Sequence, residues 1–150
     1  MVRILMTLLI YLIGIIGYAQ TNGSNDANTK LNSGQSIQVE INKIMADKGI
    51  VYFAIYDSKN NFENKKPLKV TNKKVEGNKV TVVFDHLKPG IYAITCYHDA
   101  NNNGKMDFAN NGIPMEDYGA TNNVMNYGPP RFEDAKFVLK EKDLTFEIKL

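Results

Sequence analysis

Residues 84–99 read FDHLKPGIYAITCYHD, and this stretch decides the fold. Pro89 fixes its own φ and Gly90 tolerates φ > 0, so the pair makes a tight turn between two extended runs. On one side Val80, Val82 and Phe84 fall at every second position. On the other, Ile91 to His98 is a second apolar run. A period of two is the signature of a half-buried strand. Working back toward the N-terminus, Ile37, Val39 and Ile41 alternate with Gln38, Glu40 and Asn42. IVYFAIYD then places Val51, Phe53 and Ile55 on one face and Tyr52, Ala54 and Tyr56 on the other, so both faces of that strand are apolar. Asp47-Lys48-Gly49 and Gly77-Asn78 read as turns, and residues 57–67 as a polar connection with Phe62 as a packing anchor. Residues 68–71 form a further short strand. Toward the C-terminus, strands are expected near Phe132 to Leu139 and over Leu144 to Leu150, where Leu144, Phe146, Ile148 and Leu150 alternate with polar residues. About seven strands with no convincing helix imply an all-β chain. The expected architecture is a single antiparallel β-sandwich, immunoglobulin-like or prealbumin-like, with one long loop.

The first nineteen residues stand apart. Arg3 precedes an uncharged apolar run from Ile4 to Ile16, and Gly17, Tyr18 and Ala19 place small residues before Gln20. That is the pattern of a cleaved secretory signal peptide over residues 1–19. The run is shorter than the ~20 residues that span a bilayer, so no membrane span is expected in the mature chain. Residues 20–35, rich in Asn, Thr, Ser and Gly, read as a flexible lead-in. Residues 36–150 are then the sandwich domain, secreted or periplasmic.

Composition narrows the function. Eighteen Lys and Arg against 16 Asp and Glu give a formal net charge of +2 over 150 residues, no electrostatic footprint for nucleic acid. One cysteine, Cys96, precludes an internal disulfide and reads as a buried core thiol. Two histidines, His86 and His98, argue against a multi-histidine metal centre.

The long loop from Asp99 to Pro130 carries the chemistry. It begins DANNNGKMD. With Asp99 as the first position, Asn101, Asn103 and Asp107 fall at the third, fifth and ninth, Gly104 at the sixth and Lys105 at the seventh. Those are the offsets of a calcium loop, in which the glycine permits the sharp turn and the seventh residue offers its carbonyl. The twelfth position is Asn110 and the preceding element is a strand, so this is not an EF-hand. Glu116 or Asp117 is left to complete the shell. The expected ligand set is Asp99, Asn101, Asn103, Lys105, Asp107 and Glu116, holding a structural calcium with a Kd of roughly 10⁻⁴ to 10⁻³ M. Asx-turns with no ion would account for the same spacing. His98 reads as a packed residue, and no G-x-S-x-G or H-E-x-x-H is present. Tyr118, Tyr127 and Phe132 either pin the loop to the sandwich or bind sugar or peptide.

The stretch from Gly90 to Asn123, followed by GPPRFEDAKF, resembles a family of uncharacterised secreted bacterial proteins, the domain of unknown function 2141. Its pattern of His-Asp, Asn-x-Asn-Gly-Lys-x-Asp, Gly-Ile-Pro-x-Glu, Tyr-Gly and Pro-x-Phe-x-x-Ala falls here on His98-Asp99, Asn101 to Asp107, Gly112 to Glu116, Tyr118-Gly119 and Pro130 to Ala135. The chain also resembles prealbumin-like and Cna-B-like sandwiches, in which D-x-N-x-N-G-x-x-D loops are often calcium sites. The resemblance implies secretion, the sandwich and the loop, and no activity. The leading expectation is a secreted or periplasmic binding or accessory module for an unknown protein or carbohydrate. The alternatives are an enzyme using His98 with Asp99 or Glu116, and a structural subunit of a cell-surface assembly.

Overall fold

The structure, a computed structural model, describes residues 34–124 and 128–150. The expected leader, nearly all of the lead-in, and Tyr127 lie outside them. The elements run β1 (Gln35–Ile41), β2 (Ile50–Tyr56), α1 (Lys59–Glu63), β3 (Lys69–Lys74), β4 (Val80–Leu87), β5 (Gly90–Asp99) and β6 (Tyr118–Ala120). A 3-10 turn (Thr121–Asn123), α2 (Phe132–Ala135), β7 (Phe137–Leu139) and β8 (Leu144–Glu147) complete the chain. One sheet has the order β4-β1-β8. The other has the order β3-β2-β5-β6, with β7 paired to the start of β5.

Alternation explains the packing. Ile37, Val39 and Ile41 of β1 are fully buried, as are Val51 and Ile55 of β2 and Ile94 of β5. They form one apolar cluster with Phe53, Val82, Phe84, Leu87, Leu139 and Ile148. Burial of this kind is worth about 1.5–3 kcal/mol per large apolar side chain, so the sandwich closes without a disulfide. Cys96 is the free, buried thiol that its sequence context suggests.

Two turns carry the chain between sheets rather than making hairpins within one. Gly77 (φ 64°) and Asn78 (φ 59°) supply the paired positive φ of a tight turn between β3 and β4. Pro89-Gly90 joins β4 of the first sheet to β5 of the second. Along that edge the Lys69 ammonium donates to the Asp85 carbonyl at 2.5 Å, closing the seam. The opposite seam depends on Gly119, where a Cβ would sit 2.6 Å from Ile148 Cγ2 and collide with the Lys149 carbonyl.

The structure refines the sequence reading in four places. The pairing of β1 with β8 is parallel, whereas the other strand pairs are antiparallel. A three-residue stretch of the long loop, Tyr118–Ala120, is a strand. Residues 132–135 form a helical turn, because Phe132 and Ala135 at a spacing of three pack together on Ala93 of β5. Residues 59–63 are also helical, with Ser58 Oγ capping Asn61 N. Among the described residues no helix is long and apolar enough to cross a membrane.

Candidate functional site

β5 delivers Asp99 to the end of the sheet with its side chain fully buried. A buried carboxylate needs hydrogen-bond donors. Asp99 Oδ1 accepts from Asn103 N at 3.1 Å, and Oδ2 accepts from Gly104 N at 2.7 Å. The chain therefore wraps around this one carboxylate, helped by Gly104 at φ 80° and Asn102 at φ 60°. Two Asx-turns follow inside the wrap. Asn101 Oδ1 accepts from Asn103 N at 3.0 Å, and Asn103 Oδ1 from Lys105 N at 3.0 Å. Both amide groups then donate to Asp107 Oδ2, Asn101 at 2.8 Å and Asn103 at 2.6 Å.

Beyond Asp107 the chain makes a small hairpin. Phe108 bridges Pro114, Ala109 N donates to Ile113 O at 2.9 Å, and Met115 N donates to Asp107 O at 2.9 Å. The hairpin returns Glu116 to Asp107, whose N–H donates to Glu116 Oε2 at 3.3 Å. Glu116 Oε1 is buried and has no hydrogen-bond partner. Of the six residues singled out in the sequence, the structure gathers Asp99, Asn101, Asn103, Asp107 and Glu116 through this bonding. Lys105 enters through its backbone, with its side chain exposed. Among the described residues no three His, Cys, Asp or Glu side chains form a metal-holding group. Any ion here would depend on amide and carbonyl oxygens beside the carboxylates. The carboxylates do share one neighbour. Burial, then Tyr52, Asp99 and Glu116, raise the Tyr97 phenol above its ordinary pKa.

His98 is buried, its Nε2 2.7 Å from the Lys48 carbonyl. Its backbone N–H donates to Asp117 O at 2.9 Å. Gly49, at φ 90°, packs so closely that a Cβ there would meet Asp99 O at 2.5 Å and His98 Nε2 at 2.8 Å. The ring is thus enclosed by the 47–49 turn and engaged with backbone, the packed role read from its position. Phe132 is also buried and contacts Phe62 edge-on at 5.8 Å, so it pins the segment down. Tyr118 stays half-buried, its hydroxyl donating to Gly128 O at 3.2 Å.

Thr121, Asn122 and Asn123 escaped the sequence reading. The Thr121 hydroxyl is buried, accepts from Ile94 N at 3.2 Å and reaches the Ala135 carbonyl at 2.5 Å. Asn122 donates to the Asp134 and Lys136 carbonyls. Asn123 donates to Glu147 O and accepts from Lys149 N, both at 2.8 Å, so its amide group stands in for a neighbouring strand on the edge of β8. Both asparagines have positive φ, which Asn tolerates better than most residues. In the sequence the only hint is three polar residues in a row.

Residues 39–147, a span that runs from β1 to the end of β8, match the profile of a protein family described as an uncharacterized protein conserved in bacteria, DUF2141. No curated protein and no solved structure matches the chain.

Proposed function

The chain belongs to the DUF2141 family of bacterial proteins, whose description carries no activity, and we propose that it is a binding module working outside the cytosol, its 99–116 loop organised by calcium. The observation that carries this reading is the Glu116 carboxylate. Its Oε1 is buried with no partner, while Oε2 holds the Asp107 amide. A buried carboxylate oxygen is costly unless a donor or a cation meets it. The groups around it are hard oxygens: Asp99, Asn101, Asn103, Asp107, Glu116 and the Lys105 carbonyl. No sulfur or imidazole belongs to the set, so calcium suits it better than zinc. Two amide N–H groups already compensate Asp107. A cation must compete with them, which keeps the affinity at the weak end, roughly 10⁻⁴ to 10⁻³ M, where extracellular calcium modules work.

The ion's role is structural. The hairpin that the loop supports exposes Phe108, Ile113 and Met115, and a fixed loop presents them in one arrangement. A secreted or periplasmic location fits this chemistry and the leader read in residues 1–19. Thermal melting in calcium and in chelator tests the proposal. At ten to a hundred times Kd, mass action raises stability by about 1.4–2.7 kcal/mol. Glu116→Gln, which keeps the shape and removes the charge, should abolish most of the rise. Equal melting temperatures in chelator and in calcium at ten times the upper Kd, ~10 mM, would overturn the reading.

A further inference from the structure

The outward face of the five-stranded sheet has a chemistry that core packing does not explain, although the loop reaches its Tyr97 and Tyr118 end. A solvated sheet face is normally polar along each strand. Here the outward positions of β2 read Ile50, Tyr52 and Ala54, and those opposite them on β5 read Asp99, Tyr97 and Thr95, of which Asp99 is fully buried under the loop. The helical turns cover only one end of this face. Phe62 and Phe132 pack there, beside Tyr56 and Ala93. Among the described residues Ile50, Tyr52, Ala54 and Tyr97 belong to neither apolar cluster.

Strand register orders what remains. Asn72, Tyr52, Tyr97 and Tyr118 lie directly across from one another on β3, β2, β5 and β6. At the usual strand spacing that row is about 14 Å long. The Tyr52 and Tyr97 rings are nearly parallel, with centroids 5.1 Å apart, so they overlap like shingles. The next row holds Val70, Ala54, Thr95 and Ala120, the last already packed against the Phe132 cluster. Val70 is 70% exposed. Neither row contains a charged residue, in a chain that is 23% charged.

We infer that this face binds a neutral polysaccharide, ring C–H faces against the tyrosines and sugar hydroxyls against the phenols, Asn72 and Thr95. Two observations select that occupant. The uncharged rows offer nothing to an anionic polymer. The two rows at Tyr52 and Ala54 across four strands cover roughly 100 Å² in plan, about an eighth of the ~800 Å² per partner that a stable protein interface needs; the row beyond them, at Ile50, brings in Lys74 and Asp99 and bounds the strip. A sugar chain needs only such a strip, and tyrosine supplies apolar contact with a polar tip. This names the ligand class of the binding-module reading and rests on it, but not on the ion.

Native affinity electrophoresis of the purified protein in gels containing hydroxyethylcellulose, galactomannan or soluble starch tests it. At least one polysaccharide should retard the protein, equally in calcium and in chelator. The chain has no tryptophan, so tyrosine emission reports the same binding directly. Tyr52→Ala should weaken binding at least tenfold. Val70→Lys, at an exposed edge position that cannot disturb the core, should weaken it severalfold and keeps the test valid if Tyr52→Ala fails to fold. No retardation by any of the three, or retardation unchanged in Val70→Lys, overturns the inference. So does a concentration-dependent dimer that Val70→Lys abolishes while no polysaccharide binds. A calcium-induced rise in melting temperature without retardation would sink the glycan and leave the ion reading standing.

Discussion

Asp99→Asn isolates the carboxylate around which the loop is wound. Asp99 is fully buried and spends one oxygen on Asn103 N–H and the other on Gly104 N–H. Asparagine keeps the volume but offers one oxygen, so one N–H faces an NH₂ group, donor against donor. Hydrogen bonds to charged groups contribute about 1.5–3 kcal/mol. Asn103 and Gly104 are themselves exposed, so the freed N–H can turn to water, which limits the penalty. One bond is lost and the other loses its charge assistance, giving about 2–3 kcal/mol in chelator. For a domain of this size that lowers Tm by about 8–12 °C. Urea denaturation in chelator should show a lower midpoint with an unchanged slope, because the buried surface is the same. Amide exchange at Gly104 should accelerate, which separates local loosening of the loop from loss of the whole fold. A change below about 0.5 kcal/mol, with the Gly104 amide protected as before, would refute the view that this carboxylate organises the loop.

Other outcomes follow from the same packing. Thr121→Val should cost about 2–4 kcal/mol by stranding Ile94 N–H and the Ala135 carbonyl, while Thr121→Ser should cost under about 1 kcal/mol, both read by chemical denaturation. Burial pushes the Cys96 thiol from 9.0 up to about 12, so native protein should resist thiol-specific reagents at neutral pH and react only when unfolded. The unfolded thiol ionises first as pH rises. Stability from this group is therefore intact below pH 9.0 and lost toward pH 12, by about 4 kcal/mol at most. The slope difference between wild type and Cys96→Ala measures it.

The parts of the fold legible in the sequence are those that alternation encodes. Ile37 to Ile41 alternates cleanly, Val80 to Phe84 does so but for Val83, Val51 to Ile55 is an apolar run with its larger aliphatics at every second position, and all three are strands in the structure. Alternation carries no direction, so the parallel pairing of β8 with β1 was out of its reach. Three residues with a central glycine, Tyr118-Gly119-Ala120, are too few to show a period. Their strand is made by pairing with β5, and Gly119 leaves room for Ile148 and Lys149 against it. Phe132 and Ala135 fit a strand or a helical turn equally well until Ala93 and Phe62 supply the surface they pack on.

The loop divides along the same line. Its Asx-turns are local, so the spacing of Asp99, Asn101, Asn103 and Gly104 announces them. The approach of Glu116 to Asp107 depends on the hairpin closed by Phe108 and Pro114. The stitches made by Thr121, Asn122 and Asn123 depend on α2 and β8 arriving from elsewhere in the chain.

Calorimetric titration with calcium of wild type, Asp107→Asn and Glu116→Gln addresses the ion directly. The expected result is one site of roughly 10⁻⁴ to 10⁻³ M in the wild type, weakened at least tenfold in each isosteric variant. No heat at millimolar calcium, or a wild-type affinity retained by both variants, would contradict a loop organised by calcium and leave it held by its own hydrogen bonds alone.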